Sequence, residues 1–397
     1  MNKIDCKQNL LRPNVFEIDL DAISYNIDRI QKFVTKKVKI FAVLKCNAYG
    51  FDLIEVAKIV EKSKAFAIGL ADIYEGILLR ENNIRKPILL YANSLPSEAP
   101  SMIKYNLIPS IDNIEYAKAY SYASQNILNI FIKVDTGRYR NGVMVDELKN
   151  FFKEILKFKN LNIQGIYTHL DRLDIESDSS YVEWQLSKFK KEIQVIKDSF
   201  NIKIPIIMAA SSAEVLQFPH MFMNAIDIGK LIYGIYYPQS KKNIITLRSP
   251  FKSLKTKIIS RKKICISNNP FKNKMSSKIK RDIVIGIIPI GWGDGFSVLP
   301  LNKRSVLVKG RRIKILDDNY VEHSRIDLTD VPEAKIGDEV VIIGKQKNEK
   351  ITITEIAKLN NLEESKLTRT VRQHIPRIFY KNKKPYKIVT PLKEQFL

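Results

Sequence analysis

The sequence predicts an α/β protein, a (β/α)8 TIM-type barrel followed by a second, C-terminal β-rich domain. Two observations lead there. Between residue 39 and about residue 235, eight short β-branched runs alternate with amphipathic stretches of helical spacing. After Pro238 the runs become short apolar strands broken by turns, and no helical pattern returns until Thr354.

Taken in order, the run Phe16–Asp19 precedes the barrel and could pair with the second domain. The barrel strands are expected at Lys39–Leu44, Ala65–Leu70, Pro87–Tyr91, Ile108–Asp112, Asn129–Val134, Ile163–Thr168, Pro205–Met208 and Asn224–Ile228. Asp146–Lys157 and Tyr181–Ser199 carry helical spacing between them. An open doubly wound sheet is the main competitor, but no G-x-G-x-x-G follows any of these strands. In the second domain, strands are expected at Ile258–Ile266, Ile283–Ile288, Ser305–Val308, Ile313–Leu316, Arg325–Leu328 and Glu339–Ile343, with helices at Thr354–Leu359 and Glu363–Gln373. The domain bounds follow as 14–240 for the barrel and 241–380 for the β-domain, with 381–397 a basic, loosely held tail.

Composition narrows the function. The chain has 397 residues, 45% hydrophobic, enough to bury more than one core. No apolar run is long enough to cross a bilayer, and Met1–Pro13 lacks the apolar stretch of a signal peptide, so a cytoplasmic protein is expected. Cys6, Cys46 and Cys265 show no paired spacing, and His169, His220, His323 and His374 are scattered, so neither a disulfide framework nor a metal site is expected. The net charge of +24 could serve a nucleic acid or an acidic membrane. The lysines are spread along the whole chain, however, and the clusters Lys252–Lys263, Lys272–Arg281 and Lys381–Lys387 carry few aromatics. The charge therefore reads as solvated surface, with no specific nucleic-acid partner.

Barrel enzymes work at the C-terminal ends of their strands. Here those ends carry Lys45, Lys133 with Asp135 and Arg140, Thr168-His169, Ser211-Ser212 and Asp227-Ile228-Gly229. Burying a lysine at the end of an apolar strand disfavours its cation and frees the amine for Schiff-base chemistry, although a lysine snorkelling to the rim fits equally well. The serines and Gly229 offer hydroxyl and amide donors for a phosphate. A reactive lysine plus a phosphate cradle is the minimum set for pyridoxal 5'-phosphate.

With these residues in view, the sequence resembles the alanine racemase family of pyridoxal-phosphate enzymes. The match is most specific at A-V-L-K-C-N-A-Y-G (Ala42–Gly50). It continues through K-V-D-T-G-x-x-R-x-G-V (Lys133–Val143), Y-T-H-L (Tyr167–Leu170), S-S-A (Ser211–Ala213) and I-G-x-x-x-Y-G (Ile228–Gly234). In the second domain it includes I-G-W-G-D-G (Ile290–Gly295), D-L-T-D-V-P (Asp327–Pro332), G-D-E-V (Gly337–Val340) and I-P-R (Ile375–Arg377). The resemblance implies that Lys45 holds the cofactor and acts as one proton-transfer base. Tyr49, Ser212 and Gly229 would meet its phosphate, and His169 would lie near its ring. Lys133, a position often carbamylated in the family, would orient Arg140 toward the cofactor's phenolic oxygen and the substrate carboxylate. It also implies an amino-acid substrate and a head-to-tail homodimer in which each C-terminal domain completes the partner's site.

The pattern breaks in informative places. The family's second base is a tyrosine where this chain has Trp292, and an indole N–H can donate a hydrogen bond but cannot take a proton. The family's arginine facing the pyridine nitrogen aligns with Asp227, so a carboxylate would hold that nitrogen protonated, as in decarboxylases of the same fold. A phosphate-contacting tyrosine is replaced by about Ser365, and the C-M-D segment beside the substrate carboxylate becomes Tyr320-Val321-Glu322, followed by His323. Residues 267–280 are basic and lack the family's Y-G-x-T segment. Trp292 and Val321 are expected at the substrate, with Tyr320 or His323 as replacement base. An amino-acid racemase is the leading expectation. Decarboxylation or other chemistry on the same cofactor, or a homologue that no longer racemises, are the alternatives.

Overall fold

The computed structural model describes residues 10–92, 95–171, 179–237, 244–266, 281–295, 305–316, 320–391 and 394–396. The chain divides into two compact units. One is Ala22–Arg248; the other joins the stretch before Ala22 to the chain from Ser249 onward.

The second unit opens the chain with β1 (Val15–Asp19). The first unit follows with β2 (Lys39–Val43), β3 (Ala67–Leu70), β4 (Ile88–Leu90), β5 (Ser110–Ile111), β6 (Leu128–Asp135), the short β7 (Val143–Met144), β8 (Leu161–Thr168), β9 (Ile206–Ser211) and β10 (Ala225–Ile228). Apart from β7, which pairs only with β6, these strands run parallel in the order β4-β3-β2-β10-β9-β8-β6-β5. Parallel hydrogen bonds between Leu90 and Ile108 (3.0 Å) and Ile108 and Ile88 (2.8 Å) bring β4 back to the segment entering β5, which closes the ring as a barrel. Helices such as Leu53–Glu61, Ile73–Glu81, Ile114–Ala123, Leu148–Ile155 and Ser180–Phe200 alternate with the strands. The sequence places each barrel strand to within two residues of its observed limits, except β9, which runs three residues further, to Ser211.

The barrel interior is filled by one level of side chains, Phe41, Ala67, Leu89, Phe131, Tyr167, Met208 and Ala225, with Ile206 beside them. Large rings fit because small residues face them. A Cβ on Gly165 would stand 2.3 Å from the Phe131 ring, and one on Gly69 would stand 2.3 Å from the Tyr91 ring.

The second unit continues with β11 (Phe251–Lys257), β12 (Ser260–Ile264), β13 (Ile283–Ile288), β14 (Ser305–Val308), β15 (Arg311–Lys314), β16 (Ser324–Asp327), β17 (Glu339–Gln346), β18 (Glu349–Ile351), β19 (Arg377–Lys381), β20 (Lys384–Val389) and β21 (Glu394–Phe396). One large sheet has the order β15-β14-β17-β11-β1-β19-β20-β21, with β18 on β17, and a small one has the order β12-β13-β16. As expected, the first strand of the chain pairs here, antiparallel to β11 and parallel to β19.

Two expectations need correcting. The strand read as Ile258–Ile266 is the shorter β12 (Ser260–Ile264), and β11 (Phe251–Lys257), in a different sheet, was missed because it lies in a stretch read as a charge cluster. The tail from residue 381 is not loosely held, because β19, β20 and β21 form consecutive antiparallel pairs that satisfy its backbone. The basic stretch 267–280 lies outside the described residues. Among the described residues no helix is long and apolar enough to cross a membrane, and no cluster of His, Cys, Asp and Glu could hold a metal ion.

Candidate active site

Strand side chains alternate between faces. Lys133, His169 and Asp227 each follow a core residue, Phe131, Tyr167 and Ala225, by two positions, which returns them to the barrel axis one level nearer the C-terminal rim. Lys45 comes two residues after Val43, the last residue of β2, and its charge acts on the same groups. These groups act on one another electrostatically. Burial pushes the Lys133 amine down to about 8, helped by the cations Arg140 and Lys45 and opposed by Asp112 and Asp135. Burial, with Arg138, Arg140, Lys45 and Lys133 around it, pushes His169 down to about 3, so its ring stays neutral. Burial also raises the Asp227 carboxyl well above the usual carboxylate range; Glu214 adds to this, while Lys45 and Lys133 oppose it.

Lys45 starts a turn of unusual backbone. Cys46, Asn47, Ala48 and Tyr49 all have left-handed φ, between 50° and 57°, and Gly50 closes the turn at 89°. For residues with a Cβ this costs roughly 1–2 kcal/mol each, so surrounding contacts must hold it. Asn47 Oδ1 accepts the Leu53 amide at 2.7 Å, the Gly50 amide returns to the carbonyl oxygens of Cys46 and Asn47, and the Asn47 amide donates to Glu75 Oε1 at 2.6 Å.

The same turn delivers Tyr49 to the ends of β9 and β10. Ser212 Oγ accepts the amides of Gly229 (2.8 Å) and Leu231 (3.4 Å). A Cβ on Gly229 would lie 2.6 Å from the Tyr49 hydroxyl, so this close approach needs glycine. Tyr49, Ser212 and Gly229, proposed separately from the sequence, thus meet at one point. On the opposite side of the mouth, Lys133 Nζ donates to the Tyr91 carbonyl oxygen at 2.9 Å. Asp135 organises the loop that carries Arg140. Its carboxylate accepts four successive amides, from Gly137, Arg138 and Tyr139 on Oδ1 and from Arg140 on Oδ2. Burial alone would raise its pKa, but these four donors hold it below the ordinary value.

The remaining site residues named from the sequence lie in the second unit, where the structure laces two segments together. The amides of Trp292 and Gly293 donate to the carbonyl oxygens of Tyr320 (3.0 Å) and Val321 (2.8 Å). A Cβ on Gly291 would stand 2.1 Å from the Tyr320 carbonyl oxygen. Trp292, Tyr320 and Val321 are each about half exposed, and the Tyr320 ring stacks on His323 with centroids 4.4 Å apart. Asp294 anchors the Trp292 turn, accepting from Arg12 Nη2 and His374 Nε2, both at 2.7 Å, and from the Gly291 amide at 2.9 Å. Ser365, read as standing where the family has a phosphate-contacting tyrosine, is buried, and its hydroxyl donates to Glu363 Oε2 at 3.3 Å.

Sequence reasoning singled out neither Glu75, Tyr91 nor Asp294. Asp135 and Asp294 stood inside quoted motifs, which was a usable signal. Glu75 and Tyr91 gave none, because their importance comes from contacts with distant turns.

A closed eight-stranded parallel barrel with a buried lysine, Lys133, and a hydroxyl–amide cluster at its C-terminal rim, on a chain with a separate β-domain, is the architecture of a barrel enzyme that works at its strand ends. Residues 18–237 match the family described as alanine racemase, N-terminal domain, and residues 252–379 match alanine racemase, C-terminal domain. The chain belongs to the alanine racemase family. It is 32% identical to the alanine racemase of Halothermothrix orenii over 379 residues, covering 95% of this chain and 99% of that one. It is 31% identical to alanine racemase 2 of Bacillus subtilis over 391 residues, covering 96% and 98%. Among solved structures, an alanine racemase of Clostridium difficile superposes with TM-score 0.87 at 25% identity, covering 97% of this chain and 100% of that one. The alanine racemase of Bacillus anthracis with bound L-Ala-P superposes with TM-score 0.85 at 29% identity, covering 96% and 99%.

Proposed function

We propose that this chain is a pyridoxal-phosphate-dependent amino-acid racemase with alanine as its first substrate to test. The observation that carries this reading is the convergence of Tyr49, Ser212 and Gly229 beside the turn that begins at Lys45. The names of the relatives, alanine racemases matched over almost the full length of both chains, support the reaction. The ligand named in the B. anthracis structure supports an alanine-like substrate.

The residues present suit the cofactor. Gly229 leaves open the space that a Cβ would fill beside the Tyr49 hydroxyl, and a phosphate could be held there by Tyr49, Ser212 and main-chain N–H groups. Pyridoxal phosphate held at Lys45 would supply an electron sink that acidifies the α-carbon of an amino acid once that amino acid has displaced the Lys45 amine, which is then free to act as a base. Lys45 Nζ takes the α-proton on one face. Arg140, exposed on the loop that Asp135 fixes, holds the substrate carboxylate, and Lys133, a neighbouring cation that only carbamylation would turn into an anion, would orient it in that form. Neutral His169 would lie near the cofactor ring and add no positive charge to an already cationic mouth. Asp227, whose carboxyl favours keeping a proton, would offer an acid to the cofactor's ring nitrogen where the family has an arginine.

The proton on the second face needs a donor other than Trp292. Tyr320 and His323, stacked on each other next to the Trp292 turn, are the two titratable groups proposed for it, and Trp292 and Val321 for contacts to the substrate side chain. A head-to-tail homodimer brings these residues of one copy to the barrel of the other. A cytoplasmic location is proposed on the unpaired state of Cys46 and Cys265.

The test is incubation of the cofactor-loaded protein with L-alanine and a panel of L-amino acids, followed by chiral analysis. Formation of the D-enantiomer is the expected result. Carbon dioxide release without enantiomer formation would replace racemisation by decarboxylation.

A further inference from the structure

We propose that Glu75 is a positioning residue for Lys45, holding the left-handed turn that aims the lysine into the barrel mouth. This rests on the role given to Lys45 above.

Successive N–H groups in left-handed backbone point to one side and form a small anion-binding concavity. In the turn after Lys45 the anion is supplied by the chain itself. Glu75 Oε1 accepts the Asn47 amide at 2.6 Å, and the neighbouring backbone of Cys46 also favours the charged carboxylate. Glu75 Oε2 is buried with no hydrogen-bond partner among the described residues. The carboxylate therefore serves the turn rather than a neighbouring cation, and it is half-buried, where a hydrogen bond to an anion is strong.

Its support is rigid. Glu75 sits in the first turn of the helix Ile73–Glu81, directly after β3, and that helix is capped by Asp72, whose side chain accepts the amides of Tyr74 and Glu75. The far side of the turn is tied by the Asn47 side chain to the helix Leu53–Glu61. Two helix N-termini thus brace a strained loop whose first residue is the reactive lysine. Burial raises the Glu75 carboxyl, as does Asp72, while the backbone of Asn47 and Cys46 pulls it back down.

The experiment compares wild type with Glu75→Gln and Glu75→Leu. Lys45 is labelled with pyridoxal phosphate and borohydride and followed by peptide mass spectrometry, and cooperative thermal unfolding is recorded in parallel. Glu75→Gln keeps an acceptor oxygen and is expected to label nearly as fast as wild type. Glu75→Leu is expected to label roughly ten- to a hundredfold more slowly, the loss expected for a hydrogen bond to a charged acceptor. Adding Cys46→Gly to Glu75→Leu should restore much of the rate, because glycine adopts left-handed φ without a steric cost. Wild-type labelling by Glu75→Leu would overturn the proposal. If Glu75→Leu fails to fold, the decision passes to the conservative variant, and Glu75→Gln that unfolds cooperatively yet labels Lys45 tenfold or more slowly than wild type would also overturn the proposal. Absence of Lys45 labelling in the wild type would instead sink the functional reading beneath it.

Discussion

Asp135 Oδ2 accepts the amide of Arg140 at 2.6 Å, and the same carboxylate gathers the three amides before it. This carboxylate, rather than any contact made by the arginine, fixes where the loop starts and ends. Asp135→Asn keeps the size but replaces one acceptor oxygen with a donor. The variant should raise KM for the amino acid about tenfold or more with a smaller change in kcat, consistent with the loss of one charge-assisted bond. Because the folded-state pKa of Asp135 lies below its ordinary value, its stabilisation is present above the ordinary carboxylate range and is lost as pH falls through the folded value. An acid-unfolding series of wild type and Asp135→Asn should therefore converge at low pH and separate above it.

Lys133 behaves oppositely. Its amine is held at about 8 against an unfolded value of 10.5, so between these values the unfolded chain binds more protons and stability rises with pH. Lys133→Met should abolish that rise and leave the protein at least as stable near neutral pH, while activity falls because Arg140 loses its neighbour. Thermal melts from pH 7 to 10.5 measure this; a wild type that loses stability steadily over that window would contradict it. A neutral fraction of amine near pH 8 also suits carbamylation, so added bicarbonate should raise activity in the wild type and not in Lys133→Met.

Gly69 lets the Tyr91 ring lie across β3, and the Tyr91 carbonyl oxygen takes the Lys133 ammonium. Gly69→Ala would put a Cβ 2.3 Å from the ring and 2.6 Å from the hydroxyl, so the ring must move. A loss of roughly 1–3 kcal/mol is expected for such overpacking. Tyr91→Leu in the same chain should recover part of it in denaturant unfolding.

The second base is tested by proton exchange. If either proposed group acts, His323→Ala or Tyr320→Phe should slow incorporation of deuterium at the α-carbon in deuterated water by about a hundredfold or more, the usual size of a general acid–base contribution. Full exchange in both variants removes them both.

Much of the barrel was readable because its strands are short β-branched runs separated by amphipathic helices, a local signal. The rim residues were readable because they sit at strand ends within a distinctive motif around Lys45. β11 was obscured by Lys252, Lys255 and Lys257, which with only Phe251 and Leu254 apolar in Phe251–Lys257 resemble a surface charge cluster when the sheet is unseen. β20 was obscured in the same way, since Lys381–Lys387 reads as a basic cluster opening the tail 381–397, and its ordering depends on pairing with β19. Glu75 and Tyr91 matter through contacts that fold topology creates, 28 residues away from Asn47 in one case and 42 from Lys133 in the other. No local pattern announces such contacts.

The most direct measurement is borohydride reduction of the purified protein after addition of pyridoxal phosphate, followed by peptide mapping. The account predicts a yellow absorbance that is lost on reduction and a single covalent adduct on Lys45. No absorbance, or an adduct on another lysine with Lys45 unmodified, would contradict it.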